Sequence, residues 1–193
     1  LKSNKNYDYK GIVIRNGEIL SDKTRNSAKK RAWPNLDMLA LFQDGSMKTY
    51  VCDALTAEEL LGMGALQVFS FGPWLISEGE VNPDVYNTNY YYYNYARAAI
   101  GMVEPYHYVG IVVQGTTEDQ SGKVTWIGAT MDWLADKMKE LGCTEALNLD
   151  GGGSAVMFFN GKILVSGYLK KEKKDYVPYL RSVGGLITFG VTK

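Results

Sequence analysis

Hydrophobic positions along this chain mostly alternate or come in short runs, and turn residues punctuate them. Lys10-Gly-Ile-Val-Ile-Arg-Asn-Gly-Glu-Ile-Leu20 reads as two strands around Asn16-Gly17, the strongest short-range hairpin signal. Gln43-Asp44-Gly45-Ser46 separates the runs 36–42 and 47–51, and Asn160-Gly161 separates 156–159 from 163–165, so two more hairpins are expected. Further strands are expected at 67–71, 74–76, 98–103, 108–113, 146–149 and, closing the chain, 186–191. Helical signals are fewer. Thr56-Ala-Glu-Glu59 is a capping box opening a short helix that Gly62 or Gly64 ends. Residues 130–141 carry Met131, Leu134, Ala135, Met138 and Leu141 at helical spacing, with Thr130 as cap and Gly142 as stop. Residues 21–32 and the charged stretch 170–174 read as loops. Strands outnumber helices, which predicts a single α+β domain spanning residues 1–193. Its mixed, mostly antiparallel β-sheet should carry the helix at 130–141 packed on it.

Composition narrows the classes. The 193 residues include 21 basic and 21 acidic side chains, so no strongly basic face announces a nucleic-acid partner. At 46% hydrophobic and 22% charged, the chain is neither disordered nor fibrous. No apolar run approaches the roughly 18–20 residues that span a bilayer. Leu1-Lys2-Ser3-Asn4-Lys5 leads into polar sequence and reads as no signal peptide. Cys52 and Cys143 are too few for a metal or redox motif; either they pair or they are buried thiols, the reading favoured here. Abundant Gly (21) and Tyr (14) fit a β-rich chain with tight turns, and Tyr90–Tyr93 would alternate faces if extended.

The candidate chemistry lies at 148–154. Asp150 follows an apolar strand and precedes Gly151-Gly152-Gly153-Ser154. Three glycines in a row serve where backbone approaches something closely or takes positive φ. Successive N–H groups in such a turn cradle anions. The alternative is a plain tight turn in which Asp150 caps its own backbone. The motif lacks the Gly-Lys-Ser/Thr end of a Walker A, and no helix follows as a Rossmann fingerprint requires.

The stretch Leu141-Gly-Cys-Thr-Glu-Ala-Leu-Asn-Leu-Asp-Gly-Gly-Gly-Ser154 resembles the signature of the phosphodiester glycosidase family. Residues 11–17, 56–61, the Phe-Gly-Pro segment 69–75, Ala96-Arg97-Ala98-Ala99-Ile100-Gly101, 128–135 and Arg181-Ser-Val183 are similar to family segments in the same order. The chain departs from the pattern at Ala98, where Thr is usual, and at Gln114-Gly115-Thr116, where Asp-Gly-Arg is frequent. Nothing in residues 1–10 matches the family's Asn-Gly-Gly-Phe-Phe-like element, so an N-terminal element of the family is expected to be missing here.

The resemblance implies a hydrolase that cleaves a sugar-1-phosphodiester at the anomeric carbon, on an envelope or exopolysaccharide glycan outside the cytoplasm. An export signal or anchor is then expected upstream of Leu1. The leaving phosphomonoester is acidic, so the main needs are phosphate stabilisation and one carboxylate for the oxocarbenium-like centre or its water. Asp150 is the candidate carboxylate. Arg97 and Arg181, with the Gly151–Ser154 backbone, are the candidate phosphate ligands, because guanidinium binds phosphate bidentately and stays charged. Glu78 and Glu104 are weaker candidates for a second carboxylate, and His107, beside Tyr106 and Tyr108, reads as a packed strand residue. No cofactor is assigned, and a divalent cation is not readable from sequence. The competing class is a non-catalytic carbohydrate-binding envelope protein that stacks sugars on Tyr90–Tyr93. A nucleotide-phosphate binder would need a metal-holding or ribose-reading partner that the sequence lacks.

Overall fold

The structure, a computed structural model, describes residues 11–23, 36–86, 93–118, 121, 123–172, 175–183 and 185–190. Asn16 and Gly17, with φ of 50° and 75°, turn β1 (Gly11–Arg15) back into β2 (Glu18–Lys23). Positive φ at both central residues is what a twist-matched two-residue hairpin demands. β3 (Asp37–Phe42) and β4 (Met47–Tyr50) flank a turn in which the Asp44 carboxylate accepts the Ser46 N–H at 2.9 Å. α1 (Ala57–Gly62) starts at the expected capping box: Glu59 N–H donates to Thr56 Oγ1 at 3.1 Å and Thr56 N–H to Glu59 Oε2 at 2.8 Å.

The chain continues through β5 (Ala65–Phe71), β6 (Trp74–Ser77), β7 (Glu80–Val81), β8 (Arg97–Glu104) and β9 (His107–Val113). A ribbon of β10 (Thr116–Glu118) and β11 (Val124–Trp126) precedes α2 (Met131–Glu140). After β12 (Glu145–Leu149) come β13 (Val156–Phe159) and β14 (Lys162–Ser166), joined by Asn160-Gly161, then β15 (Leu169–Glu172) and β16 (Asp175–Pro178).

Two five-stranded sheets form the body, in the orders β2-β1-β5-β3-β4 and β7-β6-β12-β8-β9. Leu39 and Met47 of the first meet Ile100, Met102 and Leu147 of the second in one buried cluster. Outside the first sheet, Ala57 and Leu60 of α1 close over Ile12, Ile14, Ala40 and Val68. Outside the second, Met131, Leu134, Ala135 and Met138 of α2 close over Leu75, Ile76, Ala99 and Ala146. Helix, sheet, sheet, helix is therefore the layering, and each fully buried Leu or Met contributes roughly 1.5–3 kcal/mol. Glu145, buried between the sheets, accepts from Thr49 N–H at 2.7 Å and Glu78 N–H at 3.1 Å, so its carboxylate ties β4 and the end of β6 to β12.

The chain is thus mostly β with few helices, and several sequence expectations change. The strand runs make two stacked sheets rather than one, and every pairing among the described strands is antiparallel rather than mixed. Thr130 occupies the N-cap position of α2 without a side-chain cap bond, and Leu141, at the C-cap, is 45% exposed rather than part of the apolar stripe. Residues 170–172, read as a charged loop, lie in β15: its pairing with β16 buries no apolar face and so leaves no period. Residues 186–190 are irregular instead of a closing strand; Ile187 alone docks against the inter-sheet core, while Leu186 and Phe189 stay exposed. No disulfide joins the cysteines. Cys143 is buried, its thiol pushed up to about 11 by burial, whereas Cys52 is only half-buried. Most of the loop expected at 21–32 and Tyr90–Tyr92 lie outside the described residues.

Candidate active site

β12 is the middle strand of its sheet, so its C-terminal end is flanked by backbone on both sides. Asp150 follows it directly. The last registered pair is Leu149 with Ala98, and one step further Asp150 comes opposite Arg97. The three glycines now have separate reasons. A Cβ on Gly151 would lie 2.4 Å from Ala96 O, one on Gly153 would meet the Tyr179 ring at 2.7 Å, and Gly152 has φ of 56°. Gly167 presses on the loop from the other side: its Cβ would lie 1.8 Å from Gly152 O. Glycine at these points lets Ala96, the Asp150 loop and Gly167 stack backbone on backbone.

Half of the loop's donors turn inward. Gly152 N–H donates to Ala96 O at 2.9 Å and Ser154 N–H to Gly151 O at 3.0 Å. Of the four N–H groups of Gly151–Ser154, these two are used within the fold, and Gly151 and Gly153 hold the remaining ones. Side chains supply further polarity. Ser154 Oγ donates to Asp150 Oδ2 at 2.6 Å, Arg181 Nη2 donates to the same oxygen at 2.6 Å, and Arg181 Nε donates to Ser154 Oγ at 2.6 Å. Asp150 and Arg181 are exposed and Ser154 is partly buried, so this triangle opens to solvent. Asp150 Oδ1 has no protein partner among the described residues.

Arg97 is 6% exposed. Its Nε donates to Ala129 O at 3.0 Å, its Nη2 to Tyr93 O at 3.1 Å, and its guanidinium carbon stands 5.4 Å from the Tyr95 ring centroid. Burial, and then the neighbouring Tyr95, push the Tyr168 phenol up, while the fields of Arg97 and Arg181 both pull it down. Both guanidinium groups are thus near enough to act on Tyr168, and Arg181 also holds the Asp150 carboxylate. That local balance favours an anionic ligand.

The phosphodiester glycosidase family model matches residues 2–187. The chain belongs to that family. It is 28% identical over 161 residues to the SPbeta prophage-derived uncharacterized protein YomE of Bacillus subtilis (strain 168), covering 82% of this chain and 23% of that protein. Among solved structures it is similar to the catalytic domain of zebrafish N-acetylglucosamine-1-phosphodiester alpha-N-acetylglucosaminidase, there auto-inhibited by its pro-peptide. That likeness has a TM-score of 0.57 and 21% identity over 79% of this chain, and it carries the fold. The chain spans about a quarter of the one relative and about half of the other.

In this member of the family the weaker sequence candidates fall elsewhere. Glu104 is seven residues along β8 from Arg97, roughly 23 Å at about 3.3 Å per residue. His107 pairs with Glu104 at that far end and is exposed, not packed. Glu78 forms an ion pair with Lys48 near Glu145, at the opposite end of β12. Asp150 is the carboxylate that remains. No group of three or more His, Cys, Asp or Glu among the described residues is arranged to hold a metal ion. Sequence reasoning missed Tyr168 and Tyr179, which lie against the loop, and Tyr95, whose ring stands over Arg97. It also missed Asn148, buried in β12, whose Nδ2 donates to Gly72 O at 2.8 Å while Oδ1 has no partner. A polar residue in an otherwise apolar strand was the available signal for Asn148; single tyrosines in strands gave none.

Proposed function

We propose that this domain hydrolyses a sugar-1-phosphodiester at the anomeric carbon. The observation that carries the reading is the Asp150–Ser154–Arg181 triangle, placed beside Arg97 at the end of the central strand. Arg181 and Ser154 hold Oδ2, which fixes the carboxylate and leaves Oδ1 for the reacting centre. In the step itself, a water oxygen bonds to C1 as the bond from C1 to the phosphate oxygen breaks. The electron pair leaves on that oxygen, and a phosphomonoester departs. Asp150 stabilises the positive charge developing at C1 and takes the water's proton. Arg181, already half-exposed, turns part of its fork to the phosphate, and buried Arg97 adds a fixed positive field that needs no reorganisation.

An acidic leaving group explains how one carboxylate suffices, where ordinary glycoside hydrolysis uses two. The natural setting for such a substrate is an envelope or exopolysaccharide glycan outside the cytoplasm, and fractionation of the producing cells checks that placement. Hydrolysis in water labelled with heavy oxygen tests the reaction. The label belongs in the C1 hydroxyl of the released sugar. Label in the phosphomonoester would mean cleavage at phosphorus, and the anomeric reading would fall.

A further inference from the structure

We propose that Trp126, backed by Tyr168, forms a second sugar subsite, so that the preferred substrate is an oligosaccharide or polymer phosphodiester rather than a single sugar. This rests on the hydrolytic reading above and extends it to substrate length. Trp126 is 68% exposed although it is a large apolar side chain. Its ring meets Tyr168 edge to face, with centroids 5.4 Å apart at 68°. Tyr168 in turn lies against the catalytic loop: a Cβ on Gly152 would come within 3.7 Å of the Tyr168 hydroxyl. The order outward from the reacting carboxylate is therefore Gly152, Tyr168, Trp126. A pyranose at Asp150 has Tyr168 beside it, and Trp126 is placed for the next ring.

The platform is anchored. Trp126 ends β11, paired with Thr116, and Ile127 N–H donates to Gly115 O at 2.9 Å. Two residues on, a Cβ on Gly128 would strike the Tyr95 backbone at 2.6 Å, so the ribbon is pressed against the strand start that carries Arg97. Exposed aromatics scattered singly need no explanation. Here the aromatics are connected: Trp126 meets Tyr168, and Tyr168 and Tyr179 lie against Gly152 and Gly153 of the loop that carries Asp150. Flat apolar faces around a few fixed polar groups are the usual make-up of a small-molecule site, and a two-torsion aromatic loses little entropy when a ring stacks on it.

The test compares methyl phosphodiesters of single sugars with diesters extended to three rings, either on the sugar side or through a glycosylated alcohol. Glucose, galactose, mannose and N-acetylglucosamine series are used. At least one extension should raise kcat/KM about tenfold or more, and Trp126→Ala should abolish that ratio; a merely structural defect would lower both substrates alike and preserve it. No gain from any extension, or a gain that survives Trp126→Ala, overturns the subsite. If no diester is cleaved, the hydrolytic reading fails by itself. The subsite is then judged by neutral trisaccharides titrated against intrinsic fluorescence: saturable quenching that Trp126→Ala removes supports it, and none overturns it.

Discussion

Substituting Gly167 by Ala should displace the catalytic loop from behind. The new Cβ would lie 1.8 Å from Gly152 O, and real Cβ atoms essentially never approach closer than 3.0 Å. The carbonyl and Gly167 must therefore separate by at least about 1.2 Å more. Gly152 cannot simply retreat, because its N–H is bonded to Ala96 O at 2.9 Å and its neighbour Gly151 already rests on the same oxygen. The shift passes to Asp150, two residues away, whose contacts to Ser154 and Arg181 are both 2.6 Å. Misplacement of about 1 Å at a reacting group costs on the order of 10²-fold in rate. Overpacking of this kind costs roughly 1–3 kcal/mol. At about 2–4 °C per kcal/mol for a chain of this size, Tm should fall by roughly 2–12 °C. Gly161→Ala is the control: φ is 75° and nothing lies within 4 Å, so it carries only the roughly 1–2 kcal/mol of left-handed strain, with turnover unchanged. The assay is kcat/KM on a sugar-1-phosphodiester together with a thermal melt. A folded Gly167→Ala enzyme with wild-type turnover would refute the account of the loop.

Arg97→Ala should weaken the phosphate contact and empty a buried site at once, so kcat/KM and Tm should both fall; Arg97→Lys keeps the charge but not the fork that holds Ala129 O and Tyr93 O, and should recover little. Burial raises the Asp37 pKa more than the N–H bonds from Cys52 and Trp74 lower it, so the folded state binds that proton more tightly than the unfolded state. Its contribution to stability therefore declines as pH rises between the usual carboxylate value of about 4 and the raised one, and urea melts of Asp37→Asn should lack that slope. Cys143, with a thiol near 11, should resist alkylation at neutral pH in the native protein, and Cys52 should react first; mass spectrometry after a timed thiol-reagent pulse reads the order.

Local chemistry was legible wherever one short stretch decides the structure. Asn16-Gly17, Asn160-Gly161 and the Thr56–Glu59 box each fix a turn or a cap from within a few residues, and each forms as read. The stripe Met131, Leu134, Ala135 and Met138 names the buried face of α2 because period and burial coincide there. Long-range order was not legible. Nothing near β12 announces that it lies between β6 and β8, or that the strands divide into two stacked sheets, because those pairings join residues far apart in the chain. The site divides the same way. Asp150 and its glycines stand out by themselves, but why Gly151 must be glycine depends on Ala96, more than fifty residues earlier. Arg181 was reached through the family resemblance rather than by spacing, and it is the residue that grips Asp150. Tyr168 and Trp126 carry no local pattern; only their convergence in space makes them a group.

The central claim is that Asp150 performs the anomeric chemistry, and turnover of a folded Asp150→Asn enzyme tests it most directly. The substitution keeps the volume and an oxygen for Ser154 and Arg181, but removes the charge and the basic oxygen. With Tm close to wild type, kcat on a synthetic sugar-1-phosphodiester should drop by about 10²-fold or more. Unchanged turnover in a well-folded Asp150→Asn protein would contradict the assignment and leave the loop as a tight turn.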